Sequence, residues 1–155
     1  MTPTRIILPN EVMLGSVKEL LAEGNTVVIM TKGLSMLPFI EGKRDSVLLE
    51  KRASVSPGDI VLAEIRPGSY VLHRVRAVTG GGKVTLQGDG NYRGQESCLV
   101  GNVVGTVKAI QTPGRPDKDP ASASEMRRWR FWAALPSWFR RYYLAIYRRI
   151  KHITI

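Results

Sequence analysis

Cysteine is almost absent from this chain. Cys98 is the only thiol in 155 residues, so no internal disulfide can form, and a lone cysteine reads as a small buried hydrophobe. Histidine is nearly as scarce, with His73 and His152 alone. No cysteine–histidine spacing resembles a zinc site, so neither a metal nor another cofactor is expected. Long apolar runs are missing too. No stretch approaches the roughly 20 apolar residues that a helix needs to cross a bilayer. Residues 1–10 lack the basic region and apolar core of a secretion signal, so the protein is expected on the cytoplasmic side. Acidic residues are lacking at one end. Residues 125–155 hold 8 Lys/Arg against 1 acidic residue, a net of +7, whereas residues 1–124 hold 15 against 12, a net of +3. Most of the formal charge of +10 therefore belongs to the tail, as do all three tryptophans, and it describes the tail's partner rather than the fold.

What is present suits one turn-rich domain: 43% hydrophobic residues, 15 Gly and 9 Pro. Within residues 1–24, Val12, Leu14, Val17, Leu20 and Leu21 recur at helical spacing between Glu11 and Glu23. Gly24 stands where a C-terminal cap belongs. The β-branched run Thr26–Thr31 predicts a buried strand. The same signature returns at 46–50, 60–65, 69–78, 83–87 and 103–110, punctuated by Pro57-Gly58-Asp59, Pro67-Gly68 and Gly80-Gly81-Gly82. Strands 70–78 and 83–87 flank the glycine turn as a hairpin. The fold class expected is mainly β: an antiparallel, barrel-like or folded sheet over residues 25–111. Residues 112–124, rich in Pro and small polar residues, read as a linker. Residues 125–155 read as two amphipathic helical pieces, 125–134 and 137–151, broken at Pro136.

The sharp turn Gly33-Leu34-Ser35-Met36-Leu37-Pro38 follows the first predicted strand and can present the Ser35 hydroxyl outside the sheet. Most such serines only end a strand. A serine nucleophile needs an adjacent base near neutral pH. His152 sits in the basic tail, where solvation is the simple reading. His73 lies in a strand, on the same face as Val71 and Val75. It reads either as a hydrogen-bonded core histidine or as a base that takes the serine proton and returns it to the leaving amine. An orienting carboxylate would fix its tautomer. Asp89 is the first candidate and Glu96 the second, although Gly88-Asp89-Gly90-Asn91 also suits a plain Asx turn.

Ser35-Met36-Leu37-Pro38, then Gly58-Asp59-Ile60-Val61, then a strand ending His73-Arg74-Val75, then Gly88-Asp89-Gly90-Asn91 succeed one another in an order and spacing that resemble the type I signal peptidase and LexA-like serine peptidase superfamily over residues 27–110. The resemblance implies that folded β architecture and a serine endopeptidase. Its third motif usually carries a lysine base; His73 there is similar to the Ser-His variant of archaeal and endoplasmic-reticulum signal peptidases. By this resemblance Ser35 is the nucleophile, His73 the base and Asp89 the supporting acid. Met36 and Pro38 shape the turn, and Asp59 and Arg74 support it. Gly33 stands where many signal peptidases have an oxyanion-binding serine, so the oxyanion would rest on backbone N–H groups such as that of Ser35. The family's membrane anchor before the serine is not expected here, nor is a repressor-type DNA-binding domain.

The cationic, aromatic tail can lie in a bilayer interface, with Trp129, Trp132, Trp138, Arg140 and Arg141 as contacts to an anionic membrane surface. It can equally pack on its own sheet. Its arginines could meet nucleic acid, but no recognition motif accompanies them. Ala121-Ser122-Ala123 has the small-x-small pattern that signal peptidases cut. The expectation is a peripherally membrane-associated serine endopeptidase acting on a leader or precursor peptide. The alternative is an inactive module of the same fold that binds an extended peptide by strand addition.

Overall fold

The computed structural model describes residues 5–8, 14–91 and 94–153. Its chain order is β1 (Arg5–Leu8), α1 (Leu14–Ala22), β2 (Thr26–Met30), β3 (Ser46–Glu50), β4 (Ile60–Arg66), β5 (Ser69–Val78), β6 (Lys83–Gln87), β7 (Glu96–Leu99), β8 (Val103–Gln111), α2 (Ala123–Ala134) and α3 (Ser137–Ile153). The eight strands form one sheet in the order β1-β2-β3-β8-β4-β5-β6-β7. All neighbours are antiparallel except β1, which joins β2 in parallel. The fold is mainly β, as the short β-branched runs predict. β1 and β7 went unpredicted because four residues at a sheet edge are too few to show a period. The first turn of the expected N-terminal helix, residues 11–13, lies outside the described residues.

Register shifts between Leu48 and Leu49, Leu62 and Ala63, and Val75 and Ala77 mark bulges that bend the sheet. The bent sheet has two apolar clusters. Val17 and Leu21 of α1 cover Val27, Val47, Leu49, Ile60 and Val107, all buried. Val61, Val75, Val84, Leu86 and Val103 form the second cluster with Cys98, whose thiol burial pushes up in pKa. Helix α1 ends at Gly24, at φ 93°, whose N–H bonds to the Leu21 carbonyl while Asn25 N–H reaches that of Leu20.

The segment expected as a linker folds back onto the sheet. Lys118 exchanges both backbone hydrogen bonds with Ile110. Ser122 then caps α2, its hydroxyl accepting from Glu125 N–H. Ala121-Ser122-Ala123 therefore leads directly into a helix, with Ser122 as its extended N-cap and Ala123 its first residue. Pro136 separates α2 from α3, as expected, and the two helices close onto the domain through a third cluster of Leu37, Trp132 and Leu144. Among the described residues no helix is long and apolar enough to cross a membrane.

Candidate active site

The serine turn is held from below by a polar clamp. Thr31 N–H and its hydroxyl both donate to the Asp45 carbonyl, and Lys43 N–H donates to the Thr31 carbonyl. The Asp45 carboxylate is fully buried. It accepts two hydrogen bonds from Arg44, one from Glu41 N–H and one from the Thr112 hydroxyl. Burial alone would raise its pKa, but these donors outweigh burial and hold it below the ordinary carboxylate range. Nothing in the local pattern marked Asp45. Its partners come from 1, 4 and 67 residues away.

Over that clamp the turn is pinned on two sides. Met36 drops into the first core cluster and Leu37 into the third. The Leu37–Pro38 peptide bond is cis, and Gly33 has φ 80°, a region that favours glycine. Ser35 immediately precedes these two anchors and is exposed. Its carbonyl accepts Gly90 N–H at 2.8 Å.

Ser35 and His73 line one cavity of about 190 Å³, together with Thr31, Lys32, Met36 and Tyr70. His73 is buried, and its Nδ1 meets a Glu96 carboxylate oxygen at 2.9 Å. Among the described residues that contact leaves Nε2 as the ring nitrogen without a hydrogen bond. Gly88 is packed between the two groups. A Cβ on Gly88 would collide with the Ser35 carbonyl oxygen and lie 3.1 Å from His73 Nε2. At Gly90 a Cβ would come within 2.8 Å of the Leu34 carbonyl oxygen. The glycines of Gly88-Asp89-Gly90 are what let the imidazole and the serine turn approach.

The carboxylate on His73 is Glu96, and this corrects the order of the two sequence candidates. Asp89 instead holds Arg74, through Nε at 3.1 Å and Nη2 at 2.6 Å, with both side chains buried. Arg74 Nη1 also donates to the Gly58 carbonyl, and its guanidinium lies over the rings of Phe39 and Trp129 at 5.2 Å each. Burial pushes the Asp89 pKa up, with Arg74 pulling hardest against it. The physical reason for the correction is strand alternation. His73 and Arg74 are consecutive in β5 and point to opposite faces, so the two carboxylates are sorted between them. Asp59 is a turn residue: its carboxylate accepts Ser56 N–H and its carbonyl accepts Val75 N–H.

The tail departs from the membrane contacts expected of it. Trp129 and Trp132 are buried against the domain, and Trp132 Nε1–H donates to the Asp89 carbonyl at 2.8 Å. Arg140 is half-buried beside Asp89 and Arg76. Burial and then Arg76 depress its pKa, and its Nε is enclosed without a partner among the described residues. Neither of these two tryptophans is available to a bilayer in this arrangement, because they fill the gap behind Arg74 and Asp89; Arg140 lines the same gap and stays half-exposed. Trp138 and Arg141 are exposed, as are Phe131, Tyr142, Tyr143, Ile146 and Ile150. The His152 side chain lies outside the described residues. No group of three or more metal-ligating side chains occurs among the described residues. No protein-family model matches the chain, and no match emerges from the curated proteins.

Proposed function

We propose that this chain is a serine endopeptidase of the signal-peptidase-like type, with the LexA-like folded sheet that its motif order suggests. The observation that carries the reading is the shared cavity: an exposed serine hydroxyl and a buried, carboxylate-backed imidazole line the same hollow across Gly88. In the proposed reaction Ser35 Oγ attacks the scissile carbonyl while His73 Nε2 takes its proton. Glu96 holds Nδ1 and favours the tautomer whose Nε2 can accept. The oxyanion forms against backbone N–H groups of the serine turn, and His73 returns the proton to the leaving amine. Water then releases the acyl group from Ser35 with His73 again as base. A hollow this small suits short side chains beside the bond, in keeping with a leader or precursor peptide.

The exposed aromatic and arginine side chains of α3 support association with an anionic membrane surface, with no spanning helix among the described residues. One observation favours the alternative of an inactive peptide-binding module. Among the described residues the Ser35 hydroxyl makes no hydrogen bond, to His73 or to any other group. Catalytic hydrogen bonds of free enzymes often tighten only when substrate binds, so the endopeptidase reading stands first.

Mass spectrometry of small-x-small peptides incubated with the protein, beside Ser35→Ala and His73→Ala, decides between them. Defined cleavage by the parent that both variants lose supports the endopeptidase. Peptides that bind and stay intact at every pH from about 6 to 9, spanning histidine and serine-peptidase chemistry, would establish the binding module.

A further inference from the structure

We propose that the groove between the serine turn and the α2–α3 hairpin binds a single anionic phospholipid molecule. The inference deepens the membrane association above and is independent of the peptidase chemistry. The groove encloses about 470 Å³, the size range of small-molecule sites. Its floor is apolar and aromatic, with Phe39, Trp132, Leu135 and Phe139 among its lining. Among the described residues four cations stand around it, and two are already neutralised: Arg44 by Asp45 and Glu41, and Arg128 by Glu125. Arg115 and Lys118 form no ion pair among the described residues. An apolar floor beside two uncompensated cations is complementary to an amphiphile with an anionic head, the phosphate on Arg115 and Lys118 and the chain along the rings.

Two features favour lipid over peptide. Among the described residues no strand residue lines the groove, so an extended peptide would find no ladder to join there. The groove also runs into the exposed face of α3. Phe139, Tyr143 and Tyr147 line it and also line a neighbouring hollow of about 270 Å³ with Tyr142, Ile146 and Ile150. A lipid leaving a bilayer on which α3 rests would pass along apolar side chains throughout. Its entry would also touch Phe39, four residues beyond Ser35.

The test uses dihexanoyl phosphatidylglycerol below its micelle concentration, with tryptophan fluorescence and calorimetry as readouts. Dihexanoyl phosphatidylcholine, inorganic phosphate and an acidic amphipathic peptide are the comparison ligands. Saturable one-to-one binding of the phosphatidylglycerol is expected. The phosphatidylcholine, free phosphate and the Arg115→Glu/Lys118→Glu variant should each bind about tenfold more weakly, as loss of charge-assisted contacts implies. The variant alters two surface side chains, and an unchanged Tm confirms its fold. Equal binding of the phosphatidylcholine or of phosphate overturns the proposal, as does a double variant that binds like the parent. So does saturation by the peptide where the lipid does not bind. Sedimentation with phosphatidylglycerol vesicles separates the two levels. Parent and variant that pellet equally, with no binding of the monomeric lipid, leave α3 as a membrane contact and remove the groove site. A parent that does not pellet removes the membrane reading itself.

Discussion

Two neighbouring side chains of β5 each claim a carboxylate, and the loss of one carboxylate differs in kind from the loss of the other. Glu96 meets His73 at the cavity, so Glu96→Gln should leave the fold intact and slow the proposed hydrolysis. About ten- to a hundredfold in kcat is expected, or roughly 1.4–2.7 kcal/mol of barrier, with KM little changed. Steady-state kinetics on a cleaved peptide read that split. Asp89→Ala strands a buried guanidinium and should cost stability, about 3–5 kcal/mol by chemical denaturation. If Asp89→Ala left stability unaltered and Glu96→Gln unfolded the protein, the assignment of the two carboxylates would be reversed. Asp45 gives a pH signature. Its folded pKa is depressed below the unfolded value, so its stabilisation is complete above the unfolded pKa and is lost as pH falls through the folded one. Asp45→Asn should therefore lower stability at neutral pH by about 1.5–3 kcal/mol, the scale of charge-assisted hydrogen bonds. That deficit should shrink as the pH is taken below the ordinary carboxylate range, which denaturant titrations at a series of pH values would show.

At the scale of elements, the turn between β6 and β7 works as a spacer. Gly88 allows the serine turn and β5 to touch, and Gly90 N–H fixes the Ser35 carbonyl. A methyl group at position 88 must push the serine turn and the imidazole apart. Gly88→Ala is expected to cost about a hundredfold in kcat, the scale of a 1 Å misplacement of reacting groups. A variant as active as the parent would mean that the turn yields freely. Behind the same turn, Trp132 ties α2 to the Asp89 carbonyl. Trp132→Phe keeps most of the ring and loses the donor, leaving that carbonyl unpaired at a cost of about 1–3 kcal/mol. Thermal unfolding measures it.

Across the whole molecule, charge and stability are joined in the C-terminal helices. A tail serving only as a detachable anchor could be removed without harm. Here it supplies buried Trp129, Trp132 and Leu144, each worth about 1.5–3 kcal/mol when fully buried. A chain ending at residue 124 is expected to show a markedly lower Tm and to expose Leu37 and Phe39. An unchanged Tm would contradict the packing. The net charge of +7 in that region also predicts that the proposed binding to anionic vesicles weakens with salt, since screening reaches about 10 Å at 0.1 M.

Much of this was legible in the residues. Short β-branched runs bounded by Gly, Pro and Asp give six of the strands nearly to the residue, because strand propensity and turn chemistry act over a few neighbours. The helix break at Pro136 and the cap at Gly24 are local in the same sense. The Ser35 and His73 motifs stood out by residue type, and strand alternation already separated His73 from Arg74. Only tertiary structure decided which carboxylate each would meet, because that depends on how the turn after β6 seats Asp89 and Glu96 across the bent sheet. Only tertiary structure turned Trp129, Trp132 and Arg140 inward as well. A cationic aromatic helix has the same sequence pattern whether its apolar face meets lipid or protein, and the gap beside Arg74 and Asp89 made the choice.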